Sequence, residues 1–310
     1  MMLTVSDIFQ DAPETKIIEL RRKDGGELPA FRAGDHIVLN LPNGMKRSYS
    51  LANDPSERHR YVLGVHLSPN SRGGSAMIHT GLRVGQDIQL DGPVSGFPLI
   101  QGGQNYLLVA GGIGITPILS MAFVLARRGA RFSLHYATRS PTDAVFDTVL
   151  ASEPLLPHVK RYSGTGEERL NLAELIAGAP SGSHIYCCGP ARMIDEATRL
   201  AKGRRDVSLT TERFQADASV ASENRPFTCR IASTNQTVSV AADVTILQAL
   251  RDIGLDIDSI CEAGTCGTCI LNVLEGTVDH RDECLLPEER ETRIAVCVSR
   301  ARSDCLVLDL

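Results

Sequence analysis

Cys261-Glu262-Ala263-Gly264-Thr265-Cys266-Gly267-Thr268-Cys269 is answered far downstream by Cys297. The pattern is C-x4-C-x2-C plus a distant fourth cysteine, the spacing of a plant-type 2Fe–2S site. Three thiolates from one loop and a fourth from another segment can surround two irons. Gly264 and Gly267 suit a loop that must adopt positive φ and bring backbone N–H groups close to sulfide. The alternatives are a structural zinc site or chance clustering. A zinc ribbon carries two C-x2-C knuckles, and only one is present here. An electron carrier needs a donor and an acceptor, and the rest of the chain is read for them.

Working outward, the segment from Phe227 to Leu310 holds fourteen Asp/Glu against seven Arg and no Lys, a net of −7 in a chain whose total is −5. That split marks an acidic module of its own. Before it, Gln215–Pro226 is small-residued and polar, as expected of an exposed linker. Inside it, the spacing predicts a strand pair at 227–232 and 238–241 and a helix over 245–253. Further strands are expected at 270–274, 294–298 and 306–308.

From Asn105 the chain alternates strands and helices. Tyr106-Leu107-Leu108-Val109-Ala110 is a continuous apolar run, as expected for a strand buried on both faces. Gly111-Gly112-Ile113-Gly114-Ile115-Thr116-Pro117 follows and leads into a helix that stops at Gly129. Strands are expected at 132–138, 158–162, 184–187 and 208–214, with helices near 144–150, 172–177 and 191–201. This β-α repetition predicts a doubly wound parallel sheet whose ligands bind at the carboxyl ends of its strands. Gly112 and Gly114 supply G-x-G, but Pro117 stands where a third glycine would complete a dinucleotide fingerprint. A tight turn without a ligand is the alternative.

Short strands at 15–22, 35–41, 45–52, 60–67 and 86–91, with turn residues between, predict a small antiparallel barrel or sandwich. Arg47-Ser48-Tyr49-Ser50 lies on one of them. Ser71-Arg72-Gly73-Gly74-Ser75 opens a short helix, whose N-terminus suits an anion, and a guanidinium such as Arg47 is a natural phosphate partner. Taken alone, Gly-Gly-Ser is also an ordinary turn and Arg47 an ordinary surface charge.

Length and composition set the outer bounds. At 310 residues about two domains are expected, with three small ones possible. With 43% hydrophobic and 22% charged residues the chain reads as an ordinary soluble protein. Its negative charge disfavours sequence-independent nucleic-acid binding, and no membrane span or export signal is expected. Nine cysteines then suit thiolate ligation in a reducing cytoplasm better than disulfides.

Together these motifs resemble the phthalate dioxygenase reductase family, the flavin–iron-sulfur reductases of Rieske oxygenase systems, vanillate demethylase reductases among them. Arg47-Ser48-Tyr49-Ser50 looks like its flavin motif, Gly73-Gly74-Ser75 its flavin-phosphate motif, Gly111–Pro117 its nicotinamide loop and Cys188-Gly189-Pro190 its C-G-P corner. The resemblance implies three domains: an FMN-binding antiparallel barrel (1–102), an α/β nicotinamide domain (103–215) and, after a linker (216–226), an α+β plant-type ferredoxin domain (227–310). It implies that Arg47 and Ser75 hold the FMN phosphate with the backbone of Gly73 and Gly74. Tyr49 would pack on the isoalloxazine, and Ser50 would bond near the nitrogen that accepts hydride. Gly111, Gly112 and Gly114 would admit the NADH pyrophosphate, with Thr116 near the flavin–nicotinamide contact and Cys188 beside the nicotinamide. Phe214 would cover the flavin edge, ordinary core packing being the alternative. Cys261, Cys266, Cys269 and Cys297 would ligate the cluster, with Cys284 as the decoy for the fourth. The implied partner is a Rieske non-haem iron oxygenase, met transiently by a monomer; the charge split points to Asp256, Asp258 and Glu262 as the docking face, a merely solvated face being the alternative. A reductase for a haem or di-iron monooxygenase, and a non-enzymatic iron–sulfur sensor, are the other readings.

Overall fold

The computed structural model describes residues 1–310 except 43–44, 69–72, 166–167, 215–223, 260–261, 263, 265 and 283. The chain divides into two units, Met1–Arg213 and Phe214–Leu310. Most of the expected linker and one of the four expected cluster ligands, Cys261, lie outside the described residues.

The first unit begins with six antiparallel strands: β1 (Met2–Ala12), β2 (Thr15–Arg21), β3 (Asp35–Asn40), β4 (Lys46–Ser50), β5 (Tyr61–His66) and β6 (Asp87–Ser95). Their order is β4-β3-β6-β1-β2-β5. A bridge between Leu51 and Leu63 joins the two ends and closes the sheet into a barrel. Alternate side chains point inward, so Leu3, Val5, Ile18, Leu20, Ile37, Leu39 and Leu63 fill the interior. Helix α1 (Gly74–Gly81) adds Ile78 to the same core. The strand β1 adds to the sequence reading, whose first expected strand is 15–22. Register shifts at Val5/Asp7 and Gln10/Ala12 break its two-residue alternation, the pattern by which a strand is recognised.

A parallel sheet follows in the same unit. Its strands are β7 (Asn105–Gly111), β8 (Arg131–Thr138), β9 (Val159–Ser163), β10 (Ser183–Cys188) and β11 (Ser208–Glu212). They alternate with α2 (Ile115–Arg127), α3 (Asp147–Leu150), α4 (Leu172–Ala177) and α5 (Ala191–Ala201). The order β11-β10-β7-β8-β9 confirms the doubly wound sheet and reverses direction between β7 and β10. Successive β7 residues face opposite layers: Leu107 and Val109 pack with Ile176 and Ile194, Leu108 and Ala110 with Ile118 and Tyr136. The second of these cores also takes in Ala33, Ala52, Val62 and Phe97 from the barrel half. Hydrogen bonds from Gly34 N to Ser120 Oγ (3.2 Å) and from Phe146 N to Asp11 Oδ2 (2.6 Å) cross the same junction.

The second unit is α+β, as expected. It comprises β12 (Phe227–Ile231), β13 (Thr237–Val240), α6 (Ile246–Asp252), β14 (Ile270–Glu275), β15 (Val278–Asp279), β16 (Arg293–Ala295), β17 (Arg300–Ala301) and β18 (Cys305–Asp309). Five strands form the sheet β13-β12-β18-β14-β16, and β15 pairs with β17. Thr245 caps α6 by accepting from Gln248 N at 3.1 Å, and Ile246, Leu247 and Leu250 face the core. The strand expected over 294–298 stops at Ala295, leaving Cys297 on the turn beyond it. Among the described residues no helix is long and apolar enough to cross a membrane.

Candidate functional site

The first cluster of candidate residues gathers around β4. Arg47 is far in sequence from Gly73 and Gly74, yet an added Cβ on Gly74 would lie 2.7 Å from both Arg47 Cγ and Nε. The arginine therefore runs across the start of α1, where Gly73 adopts φ +93°, a conformation open to glycine. Ser75 Oγ accepts from Ser68 N at 3.4 Å. Strand pairing sets Tyr49 opposite Ile37 and Ser50 opposite His36. Burial pushes the Tyr49 phenol up to about 12, with the Arg47 charge pulling the other way. Ser48 Oγ is buried and has no hydrogen-bond partner among the described residues. A fully satisfied barrel would not leave such an atom, so the strand fits a polar ligand laid along it.

The second cluster is the switch point between β7 and β10. A Cβ on Gly114 would fall 2.2 Å from Cys188 O and 2.5 Å from Cys188 C; one on Gly111 would fall 2.7 Å from Pro190 Cδ. A Cβ on Gly189 would stand 3.1 Å from Gly111 Cα. These three glycines are needed so that the glycine loop and the C-G-P corner can touch. Gly112 differs: it has φ +54° and nothing within 4 Å of its Cβ position, so it is the glycine that leaves backbone exposed to a ligand. Thr116 is buried, and its hydroxyl donates to Ile113 O at 3.0 Å. Its methyl group lies 2.8 Å from the Cβ position of Gly64 on β5, so it joins the loop to the barrel.

Cys188 is fully buried. Burial first, then the neighbouring Glu212 and Cys187, push its thiol well above the ordinary range, so it is neutral. Glu212 is the residue that sequence reasoning passed over. It pairs in register with Cys188 at the carboxyl end of β11. Its Oε2 is buried without a hydrogen-bond partner among the described residues, and burial pushes its carboxyl up to about 8. A Cβ on Gly96 would lie 3.1 Å from His36 Nδ1 and 3.8 Å from Glu212 Oε1. Gly96 therefore stands between His36, the cross-strand partner of Ser50, and Glu212, the cross-strand partner of Cys188. The only sequence signal was an acid closing a strand, which is usually a solvated end.

Glu212 makes a pH prediction. The folded state keeps its proton between the ordinary 4.5 and about 8, where the unfolded chain has lost it. Stability from this group is thus greatest below that window and falls as pH rises through it. Glu212→Gln should remove this loss, on the order of 2–4 kcal/mol by pH 8.5. Urea unfolding of wild type and variant at pH 5.5 and 8.5 measures it, and parallel pH curves would contradict the assignment.

Phe214 is 38% exposed. Cys187 and Cys229 are buried as small hydrophobes, each with its thiol pushed up to about 12 by burial.

The third cluster is the cysteine loop in the second unit. Val296 N donates to Cys269 O at 3.3 Å, which sets Cys297 beside Cys269; both are buried, and Cys266 is exposed. Gly264 and Gly267 take φ +76° and +75°. A Cβ on Gly264 would stand 2.6 Å from Val298 Cγ2 and 3.1 Å from Asp282 Cα, so the loop closes down on the Cys297 turn only with glycine there. Beside Cys187, Cys188, Cys229, Cys284 and Cys305, the described cysteines are Cys266, Cys269 and Cys297. This donor set and cradle fit a thiolate-held cluster. Cys284 Cβ lies 3.9 Å from the Gly267 Cβ position, and its thiol faces Asp282 Oδ2 at 3.9 Å. One expectation needs correction: Glu262 is not a surface charge. It is 7% exposed and accepts from Arg251 Nη1 at 2.9 Å, because its left-handed backbone turns the side chain inward. Asp256 and Asp258 are exposed.

A closed barrel against a parallel sheet with a glycine-lined switch point, followed by a thiolate-bearing α+β module, defines a modular electron-transfer oxidoreductase. Residues 229–302 match the 2Fe-2S iron-sulfur cluster binding domain. The chain is 43% identical to a vanillate O-demethylase oxidoreductase of Pseudomonas sp. (strain HR199 / DSM 7063), covering 100% of this chain and 98% of that one. It is 39% identical to a heme-dependent oxidative N-demethylase beta subunit of Ectopseudomonas mendocina (strain ymp), over 91% of this chain and 90% of that one. Among solved structures it superposes on phthalate dioxygenase reductase, described as a modular structure for electron transfer from pyridine nucleotides to [2Fe-2S]. The TM-score is 0.83 at 37% identity, covering 100% of this chain and 98% of that one. The chain belongs to the phthalate dioxygenase reductase family.

Proposed function

We propose that this protein is the reductase component of a Rieske-type aromatic-ring dioxygenase or demethylase system, passing electrons from NADH through FMN and a 2Fe–2S cluster to the oxygenase. The observation that carries the reading is the convergence at the switch point, where Glu212, paired with Cys188, approaches His36, the cross-strand partner of Ser50, across Gly96. Bound FMN supplies the conversion of one hydride into two single electrons. The chain's residues do the positioning. Arg47, Gly73, Gly74 and Ser75 hold the phosphate, Tyr49 and Phe214 flank the ring, and Ser50 bonds its reactive edge. Gly112 lets the NADH pyrophosphate approach the backbone, while Gly111, Gly114, Gly189, Pro190 and Thr116 shape the cleft. The neutral Cys188 thiol provides an apolar wall for the nicotinamide, and Glu212 holds a proton at Oε2 next to it. Cys261, Cys266, Cys269 and Cys297 ligate the cluster. In this reading the flavin part is 1–102, the nicotinamide part 103–215 and the ferredoxin part 227–310, and the protein works as a cytoplasmic monomer.

Arg47→Ala should lower FMN affinity by about 1.5–3 kcal/mol through loss of a charge-assisted contact, with cluster absorbance intact. Fluorescence titration of the flavin-free protein measures this, and an unchanged Kd would remove Arg47 from the phosphate site.

The oxygenase is met transiently through the acidic face of the ferredoxin module that carries Asp256 and Asp258. Exposed charge steers encounter and is screened over roughly 8–10 Å near physiological ionic strength. Electron transfer to the oxygenase should therefore slow with added salt while NADH reduction of the flavin does not. Asp256→Lys with Asp258→Lys should slow transfer about tenfold and flatten its salt slope; an unaltered slope in stopped-flow traces would move the docking face elsewhere. The heme-dependent relative keeps a second reading in play, in which the acceptor is a haem monooxygenase. Pairing the purified reductase with a Rieske and with a haem oxygenase, and asking which one drives NADH consumption, separates the two.

A further inference from the structure

Glu262 combines two features that each need an explanation. It is a non-glycine residue at φ +48°, a left-handed conformation that L-residues with a Cβ seldom hold unaided. It is also a carboxylate with its side chain only 8% exposed, and buried charge persists only where it is paired. One guanidinium answers both. Arg251 Nη1 donates to Glu262 Oε1 at 2.9 Å, and its Nη2 donates to Ser259 Oγ and to Ile257 O, the latter at 3.3 Å. Ser259 Oγ in turn donates to Glu262 Oε1 at 3.2 Å. Arg251 thus meets the approach to the cysteine loop at residues 257, 259 and 262.

The same residue sits near the end of α6, whose other end is tied elsewhere. Leu247 N donates to Val296 O at 3.0 Å, directly before Cys297. The helix therefore grips the three-cysteine loop through Arg251 and the turn bearing the fourth cysteine through Leu247. Ser259 lies two residues before Cys261, and Glu262 directly after it.

We propose that Arg251 and Glu262 are positioning residues for the iron–sulfur cluster. Their ion pair holds Glu262 in its left-handed conformation and so sets the cysteine loop against the Cys297 turn, keeping the cluster from being lost. The inference rests on the loop being the cluster site, which iron retention in Cys269→Ser tests separately. A support acting only through the general stability of the module would tolerate any neutral replacement equally. A support acting through backbone geometry makes a sharper demand: glycine at 262, which adopts positive φ without a clamp, should rescue what glutamine does not.

The test uses the full-length protein with its cofactors. Cluster loss is followed as bleaching of the cluster absorbance in excess iron chelator, and the EPR spectrum is recorded after reduction with dithionite. Arg251→Met and Glu262→Gln should release iron on the order of tenfold faster than wild type, the scale expected for groups that orient metal ligands. Arg251→Lys, a point charge without the fork, should fall between. Glu262→Gly should stay within about threefold of wild type, and the g-values of Arg251→Met should shift. Should Arg251→Met fail to fold, the Glu262→Gln and Glu262→Gly pair still decides. Wild-type release from Glu262→Gln, or equal release from the glycine and glutamine variants, overturns the proposal. Iron retained in Cys269→Ser would instead sink the cluster assignment itself.

Discussion

Cys269→Ser should abolish or badly destabilise the cluster, while NADH oxidation with ferricyanide should largely persist. A hydroxyl is a poor substitute for thiolate at iron, and Cys269 is buried with its carbonyl bonded to Val296 N beside Cys297, so no solvent ligand can take its place. Ferricyanide draws on the flavin, and the residues proposed for its phosphate, Arg47, Gly73, Gly74 and Ser75, lie in the other unit. Reduction of cytochrome c, which depends on the cluster, should drop by at least about a hundredfold. Cys284→Ser serves as the control and should leave the iron content unchanged. Equal loss of both activities in Cys269→Ser would show that the flavin needs the cluster to be reduced, and the proposed order of transfer would be wrong.

Gly114→Ala should damage the first unit far more than Gly112→Ala, although both change one glycine in one loop. Gly114 has φ −60°, which alanine adopts freely, so the penalty is one of space. Its new methyl group would stand 2.2 Å from a backbone carbonyl oxygen that cannot rotate away. Opening the switch point to admit it should cost on the order of 2–4 kcal/mol and weaken NADH binding with it. Gly112 has empty space around its Cβ position and φ +54°, so alanine there carries only the left-handed penalty of about 1–2 kcal/mol. That variant should fold and bind NADH less tightly. Urea midpoints and NADH titrations of both variants check the ranking, and a Gly114→Ala protein as stable as wild type would refute the packing account.

The parts legible in the sequence share a cause: local patterns that a fold cannot disguise. Continuous apolar runs and glycine stops gave the doubly wound sheet, and cysteine spacing gave the loop beside Cys297. What escaped notice depended on contacts between distant segments. The strand β1 was hidden because its bulges break the alternation. Glu212 looked like any strand-ending acid, and only its pairing with Cys188 and its orphaned Oε2 set it apart. Glu262 was misread because charge is visible in a sequence and direction is not. Its left-handed backbone, which turns the carboxylate inward onto Arg251, emerges only in three dimensions.

The position of β1 has a consequence for biosynthesis. Although it precedes the other barrel strands in the chain, it lies inside the sheet, between β2 and β6. One flank can zip up early, since β2 follows after a tight turn and β5 adds to β2. The other flank waits for β6, residues 87–95. A nascent chain on the ribosome thus carries an open hydrogen-bonding edge along a strand bearing Leu3 and Val5 until most of the barrel has been made, and such edges invite pairing with other chains. Soluble yield should accordingly respond to translation speed and growth temperature while the codons for β1 through β6 are read.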